Sequence, residues 1–525
     1  MHADISRLTF RPDRHYSAVI AQQGRVQLDA DANEQAAIQL LQARTVAADL
    51  IGQHGGPRGA TGFRVGFVGG GRELDDLSIG GGRYYVDGIP LDATRPLPGV
   101  PVVADGQRAE DGEAAPEPPA TWTYWDQPDA YRDPERPGDR LPDRFPYLVH
   151  LKVWERSVTA AEDPLLREVA LGPAMPDTAA RLKVVWQVLP LAAERLELAD
   201  GASGDEVRAA FAEWARAQTP TARMAARSRR PEHTDEDPCP VPPDARYRGP
   251  ENQMYRVEIH DGGTAEDATF KWSRENGSVT FVVDGLDGTW AELASLGGDD
   301  KLDLNVGDWV ELVDTAYISR GEPLPLLRVE EVDLPGRRVR LSGEPDPSVG
   351  RRPGLHPYLR RWDHPSGARQ TGGHGPSGRT GRGAPKLRHG ALRIEEGGWQ
   401  PLEDGVLVYF EPGRTYRSGD FWTVAARTAT GDVEWPTDTA RRPLLQSPDG
   451  IEVHYAPLAW VPGEGSPVDL RLSFGPLASP VPAADEGELA AEAAAEEEAL
   501  AAEMAAPDSH VTETDERNGR QQPEN

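Results

Sequence analysis

The sequence predicts a mainly β protein: several small antiparallel sandwich- or barrel-like units, with an N-terminal helix, one inserted helix and a disordered acidic C-terminal tail. Three observations point there. Gly 55 and Pro 48 make up about a fifth of the 525 residues, enough to end most helices after a few turns. Short runs of β-branched and aromatic residues recur, as at 147–154 and 183–188. The last 45 residues carry 13 acids against two arginines, and so much like charge with few apolar anchors opposes folding.

Residues 1–56 read as an N-terminal docking segment. The turn-prone Arg11-Pro12-Asp13 precedes an apolar run from Tyr16 to Ile20, and Asp31 followed by Glu34 predicts a capping box. A helix of about five turns then runs to Leu50, with Ile38, Leu41 and Ala48 on one side. Residues 57–200 form a first β domain, in which Asp87-Gly88 marks a hairpin turn. Within it the proline-rich stretch 106–143 carries Trp122, Tyr124, Trp125 and Tyr131, which fold back on a surface or offer one to a partner. Residues 201–248 are a helical insertion, capped by Ser203 or Asp205, followed by a loose loop. A second, barrel- or sandwich-like β domain covers 249–346, with Pro335-Gly336 as a turn. A basic Gly-rich linker or loop (347–386), a third β unit (387–480) and the tail (481–525) complete the chain. No fixed-period repeat is present.

The formal net charge of −30 argues against general affinity for nucleic acid or an anionic membrane. No stretch reaches the roughly 18 apolar residues of a membrane helix, and the first residues hold no signal-peptide core. The single Cys239 excludes an internal disulfide framework. The expected location is the cytoplasm where the chain is made, with release as part of a larger particle left open.

A search for chemistry assigns no catalytic residue, metal ligand or cofactor site. No histidine pair has zinc spacing. His356, His364, His374 and His389 share one loop-like stretch with nothing rigid to hold them, and whether they bind a metal stays open. The triple glycines at 69–71 and 80–82 lack a P-loop lysine. Cys239 lies between two prolines with no positioned base. Among 86 acids, spacing singles out no acid/base pair.

Several strings nevertheless look familiar. They include Tyr16-Ser17, Gln22-Gln23-Gly24-Arg25-Val26-Gln27-Leu28, Asn33-Glu34-Gln35, Val153-Trp154-Glu155-Arg156 and Val185-Trp186-Gln187-Val188. Further on come Glu251-Asn252-Gln253-Met254-Tyr255-Arg256, Phe270-Lys271-Trp272-Ser273-Arg274-Glu275-Asn276-Gly277, and Gly431-Asp432-Val433-Glu434-Trp435-Pro436. Together they resemble an uncharacterised bacterial family, a domain of unknown function often encoded in gene clusters for extracellular contractile injection systems. The opening segment is separately similar to the start of some phage tail and baseplate proteins. Some relatives end in longer β-rich repeats where this chain has its acidic tail, which counts against a receptor-binding fibre.

The resemblance implies a structural or accessory component of a phage-tail-like particle, baseplate-, tail-tip- or fibre-like, acting by protein–protein interaction rather than as an enzyme. Its partners would be other proteins of the particle, and a basic partner would suit the acidic tail. The docking candidates are Tyr16, Gln23, Gly24, Arg25, Leu28, Asn33, Glu34 and Leu41, with Trp122 and Trp125. Trp154, Trp186, Glu251, Asn252, Trp272, Arg274, Asn276, Gly277 and Trp435 are read as structural, with Trp272 in a core and Asn276-Gly277 as a hairpin turn. Two alternatives remain: a carbohydrate-binding or -cleaving protein with a Trp-rich surface, and a cytoplasmic effector or chaperone-like factor whose tail masks basic partners. Copy number and oligomeric state are not legible.

Overall fold

The richest runs of β-branched and aromatic residues make the longest strands. A computed structural model describes residues 2–69, 74–96, 121–172, 175–198, 201–228, 246–297, 302–365 and 386–478. In it Tyr147–Val158 and Arg181–Ala192 pair antiparallel along all 12 residues of each strand. Val453–Val461 covers the other edge of the 147–158 strand, completing a four-stranded sheet with Val468–Asp469. A six-stranded sheet is built around Gln253–Ile259, flanked by Thr269–Ser273 and Phe421–Arg427. Next to it stands a closed six-stranded barrel from Thr280–Asp287 to Tyr358–Trp362. Smaller sheets fill the periphery, and among the described strands every pair is antiparallel except His54–Pro57 with Ser473–Phe474. The fold is mainly β, as the composition predicts.

Three α-helices occur among the described residues: α1 (Asp29–Ile51), α2 (Gly204–Ala217) and the short α3 (Thr315–Arg320). In α2, Ser203 Oγ accepts the Glu206 N–H at 3.4 Å while the Glu206 carboxylate accepts the Ser203 N–H at 2.7 Å, a capping box. Val207 and Phe211 then bury against Leu148 and Trp460 of the four-stranded sheet. None of the described helices is long and apolar enough to cross a membrane. Residues 1–474 form one compact unit, and the described residues 475–478 hold neither helix nor strand.

Where sequence expectation and structure part, the reason is packing. The β units are interleaved along the chain: the 147–158 strand pairs with 453–461, and 253–259 pairs with 421–427. The stretch expected as a loose loop contains the buried strand Met224–Ser228, whose small residues signal little by propensity but pair with the strong strand Val406–Phe410. The stretch expected as a basic linker contains Tyr358–Trp362, the strand that closes the barrel, with Arg360 and Arg361 buried. Arg360 lies 3.9 Å from Glu311 of another barrel strand, which sequence cannot place beside it, while Arg361 pairs at 3.2 Å with Asp363 two residues on. The Asn276-Gly277 turn forms, with φ of 52° and 66°, yet the strands it joins belong to different sheets, so it is a crossover and not a hairpin. Asp87-Gly88 does close a hairpin, between Arg83–Val86 and Ile89–Asp92.

Candidate interaction surfaces

The base of the N-terminal segment is held by a buried cluster of charge. Arg256 and Glu258 share one face of the 253–259 strand because strand side chains alternate, and Arg256 Nε donates to Glu258 Oε2 at 2.6 Å. The Arg256 guanidinium also lies 3.5 Å from the centre of the Phe421 ring. Lys271, on the neighbouring strand, sits 3.3 Å from Glu258 and donates to Glu311 of the barrel at 2.8 Å. Glu311 further accepts from Tyr317 Oη (2.9 Å) and Trp362 Nε1 (3.0 Å). Burial pushes the Glu258 carboxyl up, but Arg256, Lys271 and His2 outweigh it and hold it well below the ordinary carboxylate range.

His2 completes this cluster. Its Nε2 is 2.9 Å from Glu258 Oε2, its backbone N–H donates to Ser157 Oγ at 2.7 Å, and its ring meets Trp362 edge-on. Asn276 Nδ2 donates to the Ala3 carbonyl at 2.9 Å. A Cβ at Gly277 would lie 2.7 Å from the His2 ring, so the turn needs glycine for space as well as for its φ of +66°. Ser6 then donates through both N–H (2.8 Å) and Oγ (2.7 Å) to Asp29, the first residue of α1. The helix thus opens two residues before the expected Asp31, whose carboxylate accepts the Leu28 N–H at 3.2 Å and takes the reach-back role expected of Glu34.

Between these two fixed points, residues 11–28 project as an arm. Gly24, at φ +72°, turns the chain, and the Arg25 N–H donates to the Gln22 carbonyl at 3.3 Å. Ile20 is 82% exposed and Val26 83%, with Tyr16 and Leu28 exposed beside them. Among the described residues the only other hydrogen bond to the backbone of 16–27 is Val19 N–H to Gln35 Oε1, 2.7 Å. Helix α1 is fastened by a bidentate ion pair, Arg44 to Glu155 at 2.6 and 2.9 Å. It buries Ala30 and Ile38 but leaves Leu40, Leu41, Val46 and Leu50 exposed. The excursion after Ser157 exposes Leu165, Val169 and Leu171 as well. Helix and body touch closely at Gly88, where a Cβ would meet Arg44 O at 2.2 Å. Gly88→Ala should therefore displace α1 and lower stability by more than about 1 kcal/mol, since Gly88 also sits at φ +77°. Limited proteolysis with mass mapping checks this, and unchanged resistance across 29–51 would contradict it.

A second surface is an open cleft of about 490 Å³ between the loop 125–134 and the barrel, where Arg320 and Arg352 form the far wall. Trp125 and Tyr131 line its near side. Among the described residues, no group of three or more His, Cys, Asp or Glu side chains is arranged to hold a metal ion.

Comparison with known proteins follows the N-terminal segment and the body alike. A family described as one of unknown function (DUF6519) matches residues 1–95 and 193–466, more than half of the chain. The chain belongs to that family. No curated protein and no solved structure matches it. The DUF6519 match takes in both the arm and most of the charge cluster that holds its base, Arg256, Glu258, Lys271 and Glu311 included. It omits 96–192, where the familiar strings at 153–156 and 185–188 lie.

The structure brings some of the expected residues together and scatters others. Tyr16, Gln23, Gly24, Arg25 and Leu28 are on the exposed arm; Asn33 and Leu41 are exposed on α1, and Glu34 is half-buried there. Trp122 and Trp125 are half-buried against the first core; Arg95 covers the Trp122 ring at 4.4 Å, and Trp125 Nε1 donates to the Asp75 carbonyl at 3.2 Å. Trp125 alone of the two lines the cleft. Trp154, Trp186 and Trp272 are buried, and Trp435 is half-buried with Nε1 donating to Leu444 O. Arg274 joins Glu403 (2.5 Å) and Asp363 (3.3 Å). Asn252 Oδ1 accepts from Thr428 N–H at 3.0 Å, while the Glu251 carbonyl accepts from Tyr247 Oη at 2.6 Å. His2, Glu258, Lys271 and Glu311 were not singled out as site residues, because a lone charge in the sequence gives no sign of its partner. Cys239, His374, the arginines at 369, 379 and 382, and the acidic tail lie outside the described residues.

Proposed function

We propose that this DUF6519 protein is a non-enzymatic assembly component of a phage-tail-like contractile injection particle, attached through residues 10–52. One observation carries the reading: an arm and helix rich in exposed apolar side chains rise from a base held by hydrogen bonds, His2 to Glu258 and Ser6 to Asp29. Exposed side chains such as Ile20 and Val26 keep about 25 cal/mol per Å² of apolar surface in water, a cost that docking on a partner recovers. The locked base means that docking would position the whole body and not merely tether it. The resemblance of the opening segment to phage tail and baseplate proteins supplies the class of partner.

The test uses the full chain, tagged at its C-terminus and expressed from its own locus. Wild type should sediment with a large particle, whereas Ile20→Asp/Val26→Asp should sediment as a free chain of 57.1 kDa with an unchanged melting temperature. A wild-type chain found free, or a variant still retained, refutes the proposal.

A further inference from the structure

We infer that the cleft between the loop 125–134 and the barrel is a binding site for an anionic saccharide. This site is separate from the arm and does not depend on how the arm docks.

Its walls are preformed. Gln127 Nε2 donates to Tyr124 O (2.9 Å) and Val188 O (3.0 Å), and its Oε1 accepts the Val188 N–H at 2.7 Å. Arg320 reaches over from the barrel and donates to the Tyr131 carbonyl at 2.8 Å. That contact fixes Tyr131 at φ 50°, a left-handed conformation that a bulky residue adopts only when its surroundings impose it. The volume of about 490 Å³ falls among small-ligand sites, which run from roughly 300 to 1,000 Å³.

The charge balance selects an anion. Arg132 and Arg320 share one buried carboxylate, Asp139, at 3.0 and 3.2 Å. Arg95 is matched by Asp126 at 2.5 Å, and Asp133 Oδ1 accepts the Glu135 N–H. The Arg352 side chain is exposed and has no hydrogen-bond or ion-pair partner among the described residues. Among the lining residues three guanidiniums, Arg132, Arg320 and Arg352, face two carboxylates, Asp126 and Asp133, a local positive excess on a chain of net charge −30. Trp125 and Tyr131 offer aromatic surface for the C–H face of a sugar ring. Asp126 and Asp133 on the wall suit hydroxyl donors and would repel a polyphosphate, which favours a singly charged, hydroxyl-rich ligand over a nucleotide.

Arg352 carries the prediction because its side chain is exposed and has no partner among the described residues, so truncating it leaves the fold intact. Purified full-length protein is applied to an array of neutral, uronate-bearing, sialylated and sulfated oligosaccharides, and titration calorimetry follows with the strongest binder. At least one acidic glycan should bind above its neutral counterpart, Arg352→Ala should weaken it about tenfold or more, and Arg352→Lys should restore part of the loss. Binding of no acidic glycan, undiminished binding by Arg352→Ala, or equal displacement by millimolar inorganic phosphate overturns the inference.

Discussion

Replacing Glu258 by alanine should cost about 3–5 kcal/mol of folding stability, because it removes the carboxylate at the centre of a buried charge cluster. Glu258 is the point where Arg256 (2.6 Å), Lys271 (3.3 Å) and His2 (2.9 Å) meet, between the six-stranded sheet and the barrel. Lys271 keeps Glu311 after the change, but Arg256 and His2 lose their carboxylate. The exposed pair Arg216–Glu213, at 3.1 Å and about three-quarters exposed on both sides, is the matched control. Glu213→Ala should change stability by no more than about 0.5 kcal/mol, since exposed pairs gain little. Urea denaturation of the two variants beside wild type decides the matter. Similar losses for both would mean that the cluster is as solvated as the surface.

Acidification from pH 7 to pH 5 at 0.15 M salt should lower the melting temperature by about 5 °C, through buried histidines that include His150, His260 and His364. Burial first, then the charges of Lys152 and Arg195, pushes His150 down to about 3. Burial, then Lys271, brings His260 to about 4, and burial brings His364 to about 4. Each folded value lies below the unfolded 6.5, so between the two the unfolded chain binds more protons. Stability from these groups is whole above pH 6.5 and drains away towards pH 4, at about 1.4 kcal/mol per pH unit for each. An opposing effect exists: approaching the pI of about 4.8 removes the self-repulsion of a net −30 chain. At 0.15 M salt, exposed charges more than about 8 Å apart are screened while buried groups are not, so the histidines win. Thermal scans at both pH values check this, and an equal or higher midpoint at pH 5 would show that surface repulsion dominates.

Local chemistry made much of the fold legible. Strands such as Val406–Phe410, the Ser203 cap and the Asp87-Gly88 hairpin are each specified by residues next to one another. Pairing across long separations was not legible. Nothing within Met224–Ser228 announces a strand, and Arg360 reads as solvated until Glu311 is placed beside it, at 3.9 Å. The arm could be singled out because exposure follows from a short apolar run with no room for a core of its own. Only half of the cleft could: Trp125 and Tyr131 stand out in a proline-rich loop, whereas Arg320 and Arg352 arrive from the barrel through tertiary contact alone. The same limit hid His2, whose partners Ser157 and Glu258 lie far along the chain.

Amide hydrogen exchange on the full-length chain tests most directly whether an exposed arm rises from a locked base. Peptides covering 253–259 and 269–273 should exchange slowly, and those covering 15–28 should exchange within seconds, because the arm's backbone has so few partners. An arm as protected as the 253–259 strand, or a base as labile as the arm, would contradict the account.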